Sequence, residues 1–136
     1  MTSTPATTAH PIPGGGLAVA LGIEVRELTR ERVVATMQVD DRTRQPYGIL
    51  HGGASVALAE TVASVGALMN VDRERFTAVG LEINANHLRA KREGLVTATG
   101  TPVHIGRRTQ VWDIRILDEK NRLVCVSRCT LAVIER

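Results

Sequence analysis

Glu60 is the single charged residue in the run from His51 to Asn70, HGGASVALAETVASVGALMN. That run is rich in Ala, Leu and Val and reads as a helix from Gly53 to Met69, with Asn70 as its C-cap. A surface helix normally carries a stripe of several charges. This one is nearly apolar all round, so it is expected to be buried on most sides. A buried carboxylate costs several kcal/mol unless it is paired, hydrogen-bonded or neutralised. One helical turn away in either direction Glu60 meets only Val56, Ala57, Ala63 and Ser64, and no base. It therefore either holds a basic residue across a subunit interface or faces a cleft, where a carboxylate is suited to general-base work. At the start of the same helix stand Gly52 and Gly53. The first amides of a helix lack acceptors within it and carry the positive end of its dipole. Glycine there lets a ligand approach the backbone, which suits a polarised carbonyl or an oxyanion. Gly-Gly is also a common end to a loop. His51, at the same place, either donates to a carbonyl or caps the loop.

Other chemistries lack their residues. His87 and His104 have no H-x-x-x-H or H-E-x-x-H spacing, so no metal site is expected. No G-x-S-x-G turn offers a serine nucleophile. Cys125 and Cys129 on one strand would lie about 13 Å apart, beyond the roughly 7 Å that a disulfide spans. They read as small buried hydrophobes of a reducing compartment. The chain has 136 residues, 43% hydrophobic and 23% charged, as one globular domain would. A formal charge of +3 suits a ligand with several phosphates and also nucleic acid. Aromatics are only 2%, namely Tyr47, Phe76 and Trp112, which argues against single-strand binding by stacking. No nucleic-acid or membrane partner is expected. The first 16 residues lack the basic start and apolar run of a secretory signal, and no stretch of 18 apolar residues exists. The expected location is the cytoplasm.

Several elements must position these groups. Residues 1–13 read as a disordered tail, followed by the hinge Gly14-Gly15-Gly16 and one domain over residues 14–136. Leu17 to Leu21 suits a helical turn. Ile23 to Thr29 and Arg32 to Val39 suit strands, the second with Val33, Ala35, Met37 and Val39 on one face. After the helix come four strand-like segments: Phe76 to Leu88, Leu95 to Ile105, Thr109 to Leu117 and Leu123 to Ile134. Two strands, one helix and four strands make an α+β pattern, in which an antiparallel sheet curls around a central helix.

The run QPYGILHGGASVALAETVASVG, Gln45 to Gly66, resembles the active-site segment of hotdog-fold thioesterases. It is closest to the branch with 4-hydroxybenzoyl-CoA thioesterase, 1,4-dihydroxy-2-naphthoyl-CoA hydrolase and the proofreading thioesterase of enterobactin synthesis. GLEINANHLRAKREG from Gly80 and HIGRRTQVWDIRILDEKNRLVCVSR from His104 resemble that branch too. The resemblance implies a hotdog fold, an antiparallel sheet wrapped around one long helix, and hydrolysis of acyl-CoA thioesters. It assigns Glu60 as nucleophile or base for water and the Gly52 N–H as polariser of the thioester carbonyl. Gln45 and His51 would assist the thioester and the attacking water, and Ser64 would lie near the reacting group. It further implies a homo-oligomer, a dimer or a dimer of dimers, with Glu60 of one chain facing Gly52 and Gln45 of the other. Coenzyme A would enter only as part of the substrate, with no other cofactor.

Coenzyme A carries several phosphates, and the turn Gly106-Arg107-Arg108 offers two guanidiniums whose fork geometry suits them. Asn86, His87, Arg89 and Arg128 are further candidates along the coenzyme arm. Each arginine also reads as an ordinary solvated charge. The branch favours aromatic, often hydroxylated, acyl groups. Ala57, Ala63, Ser64, Gly66 and Ala67 would leave room for a flat ring, or equally for close packing of helix on sheet. Competing readings are a hotdog hydratase or dehydratase, which shows prolines near its His, a thioesterase for carrier-protein thioesters, and an acyl-CoA sensor without chemistry.

Overall fold

Alternation along the strands sets the inner face of a sheet. In the computed structural model, which describes residues 16–136, Val33, Ala35, Met37 and Val39 are all buried along one strand while Gln38 between them is exposed. The elements run α1 (Leu17–Ala20), β1 (Glu24–Leu28), β2 (Val33–Val39), α2 (Gly52–Leu68), β3 (Phe76–His87), β4 (Gly94–Ile105), β5 (Thr109–Leu117) and β6 (Leu123–Glu135). Each lies within two residues of its expected bounds. The expected tail, residues 1–13, and most of the Gly14–Gly16 hinge lie outside the described residues. The six strands form one antiparallel sheet in the order β1-β2-β4-β5-β6-β3, with α2 across its inner face. This is the antiparallel sheet with one long helix that a hotdog fold requires. β3, twelve residues long, is an edge: among the described residues it pairs only with β6.

Small residues let α2 lie close to the sheet. Leu58, Ala59, Val62, Ala63, Gly66 and Ala67 form its buried face, recurring at helical spacing. Trp112 of β5 packs against Gly66, where an added Cβ would fall 2.5 Å from the ring. The Trp112 Nε1–H donates to Gln110 Oε1 at 2.9 Å, and Gln110 Nε2 donates to the Ala67 carbonyl at 3.2 Å. The buried polar atoms of this seam are thus satisfied. At the helix end the C-cap is Met69 rather than Asn70. Asn70 acts through its side chain instead, donating from Nδ2 to the carbonyls of Gly66 and Arg30.

Burial on most sides does not hold for α2. Val56, Ala57, Glu60, Thr61 and Ser64 are only half-buried. The sheet covers one face of the helix, and the face bearing Glu60 stays open. Cys125 and Cys129 are free thiols, both buried. Among the described residues no helix is long and apolar enough to cross a membrane.

Candidate active site

The start of α2 is organised by its N-cap. His51 has extended backbone, and its Nδ1 accepts from the Gly53 N–H at 2.7 Å. His51 therefore does cap the helix, and the neutral ring keeps its proton on Nε2, which remains a donor. The His51 carbonyl accepts from Ala54 and Ser55, and its N–H is fixed on the Thr43 carbonyl at 2.8 Å. The Gly52 N–H, between these, has no acceptor among the described residues. It opens on a cavity of about 350 Å³ lined by Gln45, Gly52, Ser55, His87 and Arg89 together with apolar groups that include Leu50, Leu88 and Val124. Gln45 is held by a bond from its N–H to the Ile49 carbonyl at 2.9 Å, and its side-chain oxygen accepts from the Tyr47 N–H. Its NH₂ group has no acceptor among the described residues. The His87 ring lies over Gly52, where a Cβ would fall 2.8 Å from Nε2.

Two turns further along α2, Glu60 shares the open face with Ala57 and Ser64. Its carboxylate makes no hydrogen bond or ion pair among the described residues. Instead Oε2 rests against Gly80 of β3. Burial first, then the charges of Glu60 and Glu82, push the Cys129 thiol up to about 11, so the sulfur stays protonated at neutral pH. Eight residues separate Glu60 from Gly52, about 12 Å along the helix axis.

The remaining candidates fall in two other places. Asn86 and Arg128 project from the outer face of the sheet, opposite to α2. They line a cavity of about 300 Å³ there with Asn84 and Asp113, and Arg128 approaches Asp113 at 3.9 Å. Gly106, Arg107 and Arg108 form the β4–β5 turn, with the Gly106 N–H on the Thr109 carbonyl at 2.9 Å. That turn stands at the Val79 end of the sheet, because Thr109 pairs with Ala132 and Ala132 with Val79. The structure therefore joins Gln45, Gly52, His87 and Arg89 in one cavity, while His51 lines a different one with Gly53, Ala54 and Ala57. It sets Glu60 and Ser64 apart from them, and separates both arginine groups from that cavity. Sequence reasoning missed Ser55, which lies one helical turn after Gly52 and faces the same cavity. It also missed the contact between Gly80 and Glu60.

The sequence pattern of the thioesterase superfamily matches residues 47–125, more than half of the chain. The chain belongs to the thioesterase superfamily. Bacillus subtilis ComA2 is 62% identical to this thioesterase over 120 residues, covering 88% of this chain and 95% of ComA2. The 1,4-dihydroxy-2-naphthoyl-CoA hydrolase of Listeria monocytogenes is 49% identical over 118 residues, 87% of this chain and 95% of the hydrolase. The crystal structure of thioesterase HI1161 from Haemophilus influenzae superposes with a TM-score of 0.83 at 53% identity, covering 87% of this chain and 82% of that one. This thioesterase is accordingly a thioester hydrolase with a hotdog fold.

Proposed function

We propose that the protein hydrolyses aromatic acyl-CoA thioesters at a site shared by two chains. The observation that carries this reading is the separation of an unacceptored amide at Gly52 from an unpartnered carboxylate at Glu60. A thioester carbonyl cannot touch both across about 12 Å of one helix. Each group lies beside the edge strand, Glu60 at Gly80 and Gly52 at His87. A two-fold axis near the middle of β3 would pair that strand with its copy and bring Gly80 of one protomer toward the partner's His87. Glu60 would then meet the Gly52 amide and the Gln45 NH₂ of the second chain, and the β4–β5 arginines would approach the mouth that holds Arg89.

In this arrangement the Gly52 N–H, at the positive helix end, polarises the carbonyl. Gln45 donates to the thioester and the His51 Nε2–H to the bound water or acyl oxygen. Glu60 either takes a proton from the attacking water or attacks the carbonyl carbon itself; the coenzyme A thiolate leaves, and on the second route water then cleaves the mixed anhydride to release the acid and free Glu60. Ser64 stands one turn from Glu60 on the same open face. The reaction needs only water and the thioester, with no resident cofactor. Of the small helix residues, Ala63, Gly66 and Ala67 are buried against the sheet and serve packing. Ala57 and Ser64 flank Glu60 and leave the room for a flat ring. The Listeria relative, named for a naphthoyl thioester, supports the aromatic assignment. Two free buried thiols suit a reducing compartment, so we assign the protein to the cytoplasm.

Glu60→Gln keeps the shape and removes the charge. It should lower kcat for thiol release from benzoyl-CoA by about a thousandfold, within the range for lost general-base or nucleophilic function, and leave coenzyme A affinity unchanged. Turnover near wild type in that variant would sink the mechanism.

A further inference from the structure

Gly80 is a glycine without a backbone reason to be one. It does not share the left-handed conformation of Gly48 and Gly94, which have φ of 87°. It is exposed on an edge strand, where a side chain with strand preference would stabilise the pairing better than glycine does. Its pairing partner on β6 is Leu131, which is fully buried, so position 80 faces α2 rather than the outer surface. The strand is irregular immediately afterwards, between Gly80 and Glu82. What a Cβ at this position would strike is the Glu60 carboxylate. Oε2 occupies the space, with Cδ at 3.3 Å and Cγ at 3.9 Å, and no other group comes within the same distance. The strand thus carries a notch one methyl group deep, filled by the one carboxylate of the helix.

We propose that Gly80 is a positioning residue: its missing side chain forms the seat that holds the Glu60 carboxylate where it acts on the thioester. The inference rests on the reading of Glu60 as the reacting carboxylate. Glu60 has no hydrogen-bond or ion-pair partner among the described residues to fix its rotamer. The fit against Gly80 takes that part, and leaves both oxygens free of competing donors. A side chain at position 80 would push the carboxylate off its seat without removing the amide and side chains of the second chain that bind the thioester and coenzyme. The signature is a loss in kcat without a loss in KM.

The test is thiol release from benzoyl-CoA by wild type, Gly80→Ala, Glu60→Gln and the double variant, with folding followed by far-UV circular dichroism. Gly80→Ala should lower kcat about a hundredfold, the scale of a misplacement near 1 Å, with KM within about twofold of wild type. In the Glu60→Gln background the same change should leave the residual rate unaltered, because there is no carboxylate to displace. A further pair uses Glu60→Asp, which is one methylene shorter and clears the new Cβ. Alanine at position 80 should cost Glu60→Asp far less than it costs wild type. Wild-type kcat in Gly80→Ala, an equal loss in every background, a raised KM at constant kcat, or a collapsed dichroism signal would each overturn the role of Gly80. Full turnover by Glu60→Gln would instead overturn the catalytic reading of Glu60, whatever Gly80→Ala does.

Discussion

Arg107 and Arg108 are exposed, sit together in one turn and have no ion pair among the described residues. Unneutralised guanidiniums in that arrangement are matched to phosphates, and truncating both should raise KM for benzoyl-CoA about tenfold, equivalent to about 1.4 kcal/mol. Steady-state kinetics on Arg107→Ala with Arg108→Ala should show kcat within about twofold of wild type. An unchanged KM removes the pair from the phosphate site. Residues like these are legible in a sequence because their chemistry is carried by type: a lone carboxylate in an apolar run, two glycines and a histidine at a helix start, paired arginines at a turn. Gly80 was not legible, since its meaning lies in what presses on it, and that group stands 20 residues earlier on another element. The face on which Asn86 and Arg128 project was hidden for a related reason. Strand register is set by pairing with β6 and not by local spacing.

The loop between β3 and β4 carries Arg89 and walls the cavity at Gly52, and it is tied down by charge. Lys91 pairs with Glu119 in the β5–β6 turn, and the second Glu119 oxygen accepts from the Leu95 N–H at 2.9 Å. The Lys91 ammonium, then the Leu95 N–H, holds the Glu119 carboxyl down at about 2. A carboxyl depressed in the folded state stabilises the fold above its ordinary range, and that contribution is lost as pH falls through the folded value. Wild type should therefore lose stability between about pH 4.5 and 2 through this group, and Glu119→Gln should lack that component. Urea unfolding across this window checks it, and parallel curves for the two proteins would show that the pair contributes nothing. The strands themselves were readable from alternation and turn residues to within two positions. The burial of α2 was not. Apolar composition suggested cover on most sides, but residues such as Ala57 and Ser64 on the far face are small, and small residues serve an open cleft and a packed core alike.

At the scale of the whole molecule, β3 is the feature that asks for completion. A twelve-residue edge with exposed Val79 and Leu81 presents unpaired backbone and apolar side chains, which natural sheets usually shield. A shared site makes a prediction that no single-chain site shares. Gln45→Ala and Glu60→Gln should each be nearly inactive alone. Co-expressed, they should form mixed dimers in which one of the two sites has both residues intact, restoring on the order of a quarter of wild-type turnover by two-fold symmetry and random pairing. No recovery over the mean of the two parents would place Gln45 and Glu60 of one chain in the same site. Symmetry of this kind cannot be read along one chain, so spacing alone picks out candidate groups and not how two copies would bring them together. Trp112 offers a way to watch the rest. It is the only tryptophan in the chain, fully buried in the seam where α2 meets the sheet, with its indole N–H bonded to Gln110. The protein thus carries one intrinsic fluorophore, placed where helix and sheet must part before the chain can unfold. Its emission reports the lifting of α2 from the sheet, free of background from any second indole.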